Sequence, residues 1–234
     1  MTAIGGITTP SGTLGFRVLP RLVAIRTRRD GTPSLLRTLA QGLPRRGLDR
    51  AVFWWRVRNL PHLLAGSWRL LVASLFRLPV HHGALYLRVR RRDGTVLDLG
   101  LAGLRVVTTA GVNFLVDALQ GTVEPEILKY HGLGTGTTAE AVGDTALVTE
   151  LTTEYETDNV RPTGTLAEGA SANIFRTVGT ITVDATVAAT EHGIFSQAAA
   201  GGGTLLDRTV FTVVNLASGD SLQATYELTL TAGS

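Results

Sequence analysis

The sequence predicts a mainly β protein: a β-sandwich of jelly-roll or immunoglobulin-like kind, preceded by a β-hairpin, one helix and an arginine-rich N-terminal arm with short helices. Three observations carry this. From residue 84 onward apolar and polar residues alternate with period two in several runs, as strands with one buried and one wet face require. Those runs are short, separated by Gly, Asp, Asn and Ser, and rich in Thr at the polar positions. Residues 1–80 instead show helical-period stripes interrupted by proline, with most of the positive charge. The organisation read from this is an arm over 1–80, a hairpin plus helix over 81–124, and the sandwich over 125–234.

In chain order, Pro33 and Ser34 precede Leu35, Leu36, Leu39 and Ala40, and Gly42 and Pro44 follow, which reads as a capped helix of two to three turns. Leu48, Ala51, Val52 and Trp55 form a second stripe, and Leu64, Trp68, Leu71 and Leu75 a third that Pro79 ends, with Pro61 dividing them. Leu85, Leu87 and Val89 alternate with Tyr86, Arg88 and Arg90. Asp93-Gly94 then supplies a left-handed pair for a tight turn, and Val96, Leu97 and Leu99 begin the return strand. Thr109 is placed to cap a helix in which Val112, Leu115, Val116 and Leu119 share a face, with Gly121 ending it. Beyond Pro125, strands are expected over 127–131, 146–152, 173–178, 180–187, 193–196, 204–214 and 222–230. The pentapeptide Arg-Arg-Asp-Gly-Thr occurs at 28–32 and 91–95 with its flanks out of phase, so it marks no repeat.

Charge divides the chain. Residues 1–100 hold seventeen Arg and four Asp, net +13, whereas residues 101–234 hold four Arg and Lys129 against fifteen acids, net −10. Such a split fits a basic portion that docks on something anionic and an acidic portion that stays solvated. Twenty-one of the twenty-two cations are Arg, whose planar fork suits bidentate contacts at interfaces, although a coding bias toward Arg gives the same count. All three tryptophans, Trp54, Trp55 and Trp68, fall in the basic arm, and Trp and Arg are enriched at binding hot spots. The candidate partner-binding residues are therefore Arg45, Arg46, Arg50, Trp54, Trp55, Arg56, Arg58, Trp68 and Arg69.

Other chemistry is poorly supplied. There is no cysteine, hence no disulfide, thiolate metal site or Cys nucleophile. The opening Met1–Pro10 lacks the cationic start and apolar run of a secretory leader, and the longest uncharged run of the apolar region 51–80 is Asn59–Trp68, far below the ~20 residues of a membrane span, so a soluble chain is expected. Gly132-Leu-Gly-Thr-Gly136 lacks the Lys-Ser/Thr ending of a phosphate loop and reads as a strand connection. Ser171 lacks the second glycine of a nucleophile elbow. His81 and His82 point to opposite faces of a strand, as do Glu191 and His192, so neither pair shares a metal or an acid–base role, and His192 is placed in a polar network at a strand end. Asp144, Glu150, Glu154, Glu156 and Asp158 lack calcium-loop spacing and read as a solvated acidic rim. No catalytic, cofactor or metal residue is assigned, and no enzymatic activity is expected.

Several runs carry a family resemblance. They are Arg105-Val-Val-Thr-Thr-Ala-Gly-Val-Asn-Phe114-Leu-Val-Asp117, Lys129-Tyr-His-Gly-Leu-Gly-Thr-Gly-Thr-Thr-Ala139 and Gly169-Ala-Ser-Ala-Asn173, then Thr190-Glu-His-Gly-Ile-Phe195, Leu205-Leu-Asp-Arg-Thr-Val-Phe211 and Gly219-Asp-Ser-Leu222. Together, over about residues 81–234, the chain resembles accessory virion structural proteins of tailed bacteriophages. The resemblance implies a β-rich particle component: a head decoration or cement protein, or part of the tail. The leading expectation is a capsid decoration protein on the particle surface, assembled in the host cytoplasm. It would be a homo-oligomer, a trimer first, bridging major capsid protein or other virion subunits through the arm. A tail or fibre component that recognises a receptor, and a protein whose arm binds nucleic acid or a membrane surface directly, are the alternatives.

Overall fold

A computed structural model describes residues 35–75, 81–105 and 107–230. It is mainly β, with two antiparallel sheets and three helices. Helix α1 spans Leu35–Gly42 and helix α2 spans Arg50–Leu75. Strands β1 (His81–Arg90) and β2 (Val96–Arg105) form the hairpin, followed by helix α3 (Thr109–Leu119). Six strands follow among the described residues: β3 (Tyr130–Gly134), β4 (Thr165–Glu168), β5 (Ile174–Thr182), β6 (Val187–Phe195), β7 (Leu205–Leu216) and β8 (Ser221–Leu230).

The larger sheet runs β2-β1-β8-β5-β4 and the smaller β3-β6-β7. The stretch read as hairpin plus helix thus lends two strands to the sheet that holds the C-terminal strand, because β1 pairs along its full length with β8, from His81↔Leu230 to Arg90↔Ser221. One core cluster takes Leu85, Leu87, Ile181 and Ala224 from the larger sheet and Leu133, Ala189, Phe211 and Val214 from the smaller. A second, with Leu63, Tyr86, Leu101 and Leu104, fills the space between α2 and the outer face of β1 and β2, which is why β1 is buried on both faces rather than alternating.

Several expectations are corrected. The two stripes separated by Pro61 form one helix of 26 residues, α2. An interior proline removes a hydrogen bond and costs ~3 kcal/mol. Here tertiary contacts on both sides of Pro61 outweigh it: Asn59 and Leu63 are fully buried, and the backbone at Gly66 lies so close to β2 that an added Cβ would sit 1.9 Å from the Leu104 carbonyl. The alternating run 180–187 is two strands, since β5 ends at Thr182 and the chain turns at Asp184 to enter the other sheet as β6. Alternation survives because both sheets face the same core. In the hairpin turn only Gly94 is left-handed (φ +87°); Arg91 N–H donates to Thr95 O and Gly94 N–H to Arg91 O, a turn followed by a glycine bulge instead of a left-handed pair. Residues 146–152 form no strand and contribute a single bridge at Glu150, while the exposed edge strand β4 had no sequence signal.

Helix α3 exists as expected, with a shifted cap and a different buried face. Thr108 rather than Thr109 is the N-cap, its Oγ1 accepting from Gly111 N–H at 2.9 Å. Gly111 and Phe114 pack inward against β7, Gly111 within contact of Leu206, so Val112, Val116 and Leu119 turn outward.

Candidate partner-binding face

Helix α2 begins where Asp49 accepts hydrogen bonds from the Ala51 and Val52 N–H groups, an aspartate N-cap that also complements the helix dipole. Its inner side lies along β2 and β7, the two edge strands that border the same opening between the sheets. Asn59, fully buried, joins both edges: its Nδ2 donates to Ala102 O of β2 at 2.8 Å and its Oδ1 accepts from Thr212 N–H of β7 at 2.9 Å. Trp55 Nε1 donates to Thr212 O at 3.0 Å. Unpaired edge groups are templates for unwanted strand addition, and α2 occupies several of them.

Arg56 does the same further along. Its guanidinium donates to Leu99 O (2.9 Å), Asp98 O (3.3 Å) and the α1 carbonyl of Gln41 (3.1 Å). The β2 carbonyls are presented by a bulge at which Gly100 is left-handed (φ +74°), and any side chain there would strike the Arg56 Nη2. Burial holds the Arg56 pKa down, with the nearby Asp98 carboxylate working against that and Arg45 with it.

The nine residues singled out from the sequence therefore divide. Trp55 (8 % exposed) and Arg56 are spent inside the chain, as anchors of α2 on the sheet edges. Arg45, Arg46, Arg50 and Arg58 are exposed, Arg45 donating to Ala40 O at 2.7 Å. Trp54 and Trp68 are 50 % and 66 % exposed, the Trp54 ring standing perpendicular to that of Phe53. Arg69 lies in α2, its side chain outside the described residues. Trp54, Leu64, Trp68 and Leu71 fall at spacings that place them on one outward face, flanked by Arg50 and Arg58, on a helix without a single acid. Single exposed apolar residues are ordinary, whereas several on one helix face, two of them tryptophans, are less so.

Several buried polar groups of the sheets pair with one another, although among the described residues His82 Nδ1 and Thr229 Oγ1 are buried with no hydrogen-bond partner. Glu191, fully buried, accepts from the N–H groups of Gly136, Val148 and Thr149 and from Arg208 Nε at 2.7 Å, and Arg208 also reaches Asp144 and Thr138 O. Arg161 grips Glu150 with two nitrogens, donates to Gln197 O and Gly202 O, and stacks 3.5 Å above Phe195. Two members of the expected acidic rim, Asp144 and Glu150, are thus bound in ion pairs rather than solvated. His192 lies in a polar network as expected, though inside β6 rather than at a strand end, with His131 Nδ1 3.0 Å from its Nε2 and Thr177 Oγ1 3.1 Å from His131 Nε2. Complete burial holds both imidazoles neutral, the His131 pKa pushed down to about 3. The His131–His192 contact spans 61 positions and two strands, so no local pattern announces it. Among the described residues no three His, Asp or Glu side chains are placed to share a metal, and no helix is long and apolar enough to cross a membrane. No protein-family model and no curated protein matches this chain.

Proposed function

We propose that this chain is a non-enzymatic structural protein of a tailed-phage particle, most specifically a head decoration or cement protein that bridges neighbouring subunits. The observation that carries the reading is the outward face of α2: two exposed tryptophans and two leucines beside Arg50 and Arg58, which form no ion pair among the described residues, on a helix locked to the sheets by Asn59, Trp55 and Arg56. Preorganised aromatic and guanidinium groups bind without the entropic loss of ordering them, which suits a permanent joint. The resemblance of residues 81–234 to virion proteins supplies the setting. In this reading the two sheets, sharing one core, form a sandwich that stands on the particle and α2 faces a neighbour.

Purified chain added to heads that lack it should fill them to a fixed stoichiometry. A full-length variant carrying Trp54→Ala, Trp68→Ala, Arg50→Glu and Arg58→Glu should leave them bare at the same concentration. Equal occupancy by that variant overturns the reading. So does a parent chain that ignores heads and instead binds DNA or anionic vesicles with a steep loss in salt, the mark of counterion release.

A further inference from the structure

We infer that α2 receives helix α3 of a second copy of this chain, so that copies join head to tail. This rests on the reading of α2 as an interface and names its occupant. Two helices leave an apolar stripe uncovered, and their charges are opposite. On α2, Trp54, Leu64, Trp68 and Leu71 are flanked by Arg50 and Arg58. On α3, Val112, Val116 and Leu119 (89 % exposed) follow at i, i+4 and i+7, with the exposed Asp117 on the same helix and the exposed Glu124 and Glu126 in the segment that follows it.

The sign difference is not cancelled locally. Arg105, Arg161, Arg176 and Arg208, the four arginines beyond residue 100, are each paired with acids of their own chain, so against the exposed Asp117, Glu124 and Glu126 only the half-buried Lys129 remains nearby in sequence and this stretch stays net negative. Among the described residues none of Arg46, Arg50 and Arg58 forms an ion pair. Residues 1–34 are an inferior occupant for the α2 face, since Arg17, Arg21, Arg26, Arg28 and Arg29 against Asp30 give them its own sign of charge. Two apolar stripes of three- and four-residue spacing pack ridge into groove, and complementary rims fix partner and register. Because the two faces differ, the contact is heterologous, generating a ring if the rotation closes.

The full-length chain in an analytical ultracentrifuge should sediment as an assembly. Trp54→Ala/Trp68→Ala and Val116→Ala/Leu119→Ala should each weaken self-association roughly tenfold or more while retaining the parent's circular dichroism and melting point. The decisive measurement mixes the two variants in equal amounts. Each retains the face that the other has lost, so the mixture should form a heterodimer and nothing larger. A monomeric parent, variants that assemble as the parent does, or a mixture that stays monomeric overturns the inference. If the parent is monomeric in solution yet fills heads through the same tryptophans, the interface reading stands and only the second copy as occupant falls.

Discussion

Adjacent tryptophans in α2 have opposite fates, and the helical period decides which is which. Trp55 projects toward β7, where its ring joins the core and its indole N–H finds the Thr212 carbonyl; Trp54, 100° around the helix, meets solvent. Substitution should separate them cleanly. Trp55→Ala removes a buried aromatic and should cost about 3–5 kcal/mol of unfolding free energy. Trp54→Ala and Trp68→Ala should each stay within about 0.5 kcal/mol of the parent while impairing assembly. Urea titrations of the three variants check this, and equal destabilisation by Trp54→Ala would place that ring in the core. The sequence marked all three tryptophans and could not rank them, since the face that α2 buries depends on strands some 150 residues away.

At the scale of elements, α2 acts as the closure of two sheet edges. One side chain, Asn59, satisfies a carbonyl on β2 and an amide on β7, and it is the residue a sequence reading passes over, being a lone amide in an apolar stretch. Asn59→Leu keeps the volume and orphans both backbone groups, each worth about 1–3 kcal/mol when buried. The expected outcome is a lower melting temperature together with self-association through the exposed edges, measured by calorimetry and light scattering; an unchanged melt would mean that water replaces the amide without loss. The helices α1 and α3, the hairpin and strands β7 and β8 were legible because each has local periodicity and its own turn or cap. The β5–β6 corner was not, because alternation continues through a turn when both strands line one core.

For the whole molecule, buried imidazoles set the response to acid. His131 and His192 are neutral by burial and His82 is pushed down to about 4, so below pH 6.5 the unfolded chain takes up protons that the folded chain refuses, and stability must fall. Asp207 works in the other direction: burial pushes it up to about 7, so its folded form keeps a proton as pH rises from 3.8, and its contribution is lost as pH rises through 7. His62 is also lowered by burial, so the histidines outnumber Asp207 and the net effect is a loss of stability as pH falls from 6.5 toward 4. Chemical denaturation at pH 7, 6 and 5 checks it, and a flat profile would mean that the histidines are hydrated in the folded state.

By itself the sequence determined the β-rich class, the hairpin, most strands, the existence of helices at 35–42 and 109–119, and the segregation of charge, all of which follow from composition and short-range period. Only the tertiary structure decided which tryptophans and arginines face outward, that Pro61 lies within a continuous helix, that α3 turns its valines away from the core, and that His131 meets His192. These outcomes depend on packing between segments distant along the chain, where the energy of a buried contact outweighs the local preference of a few residues.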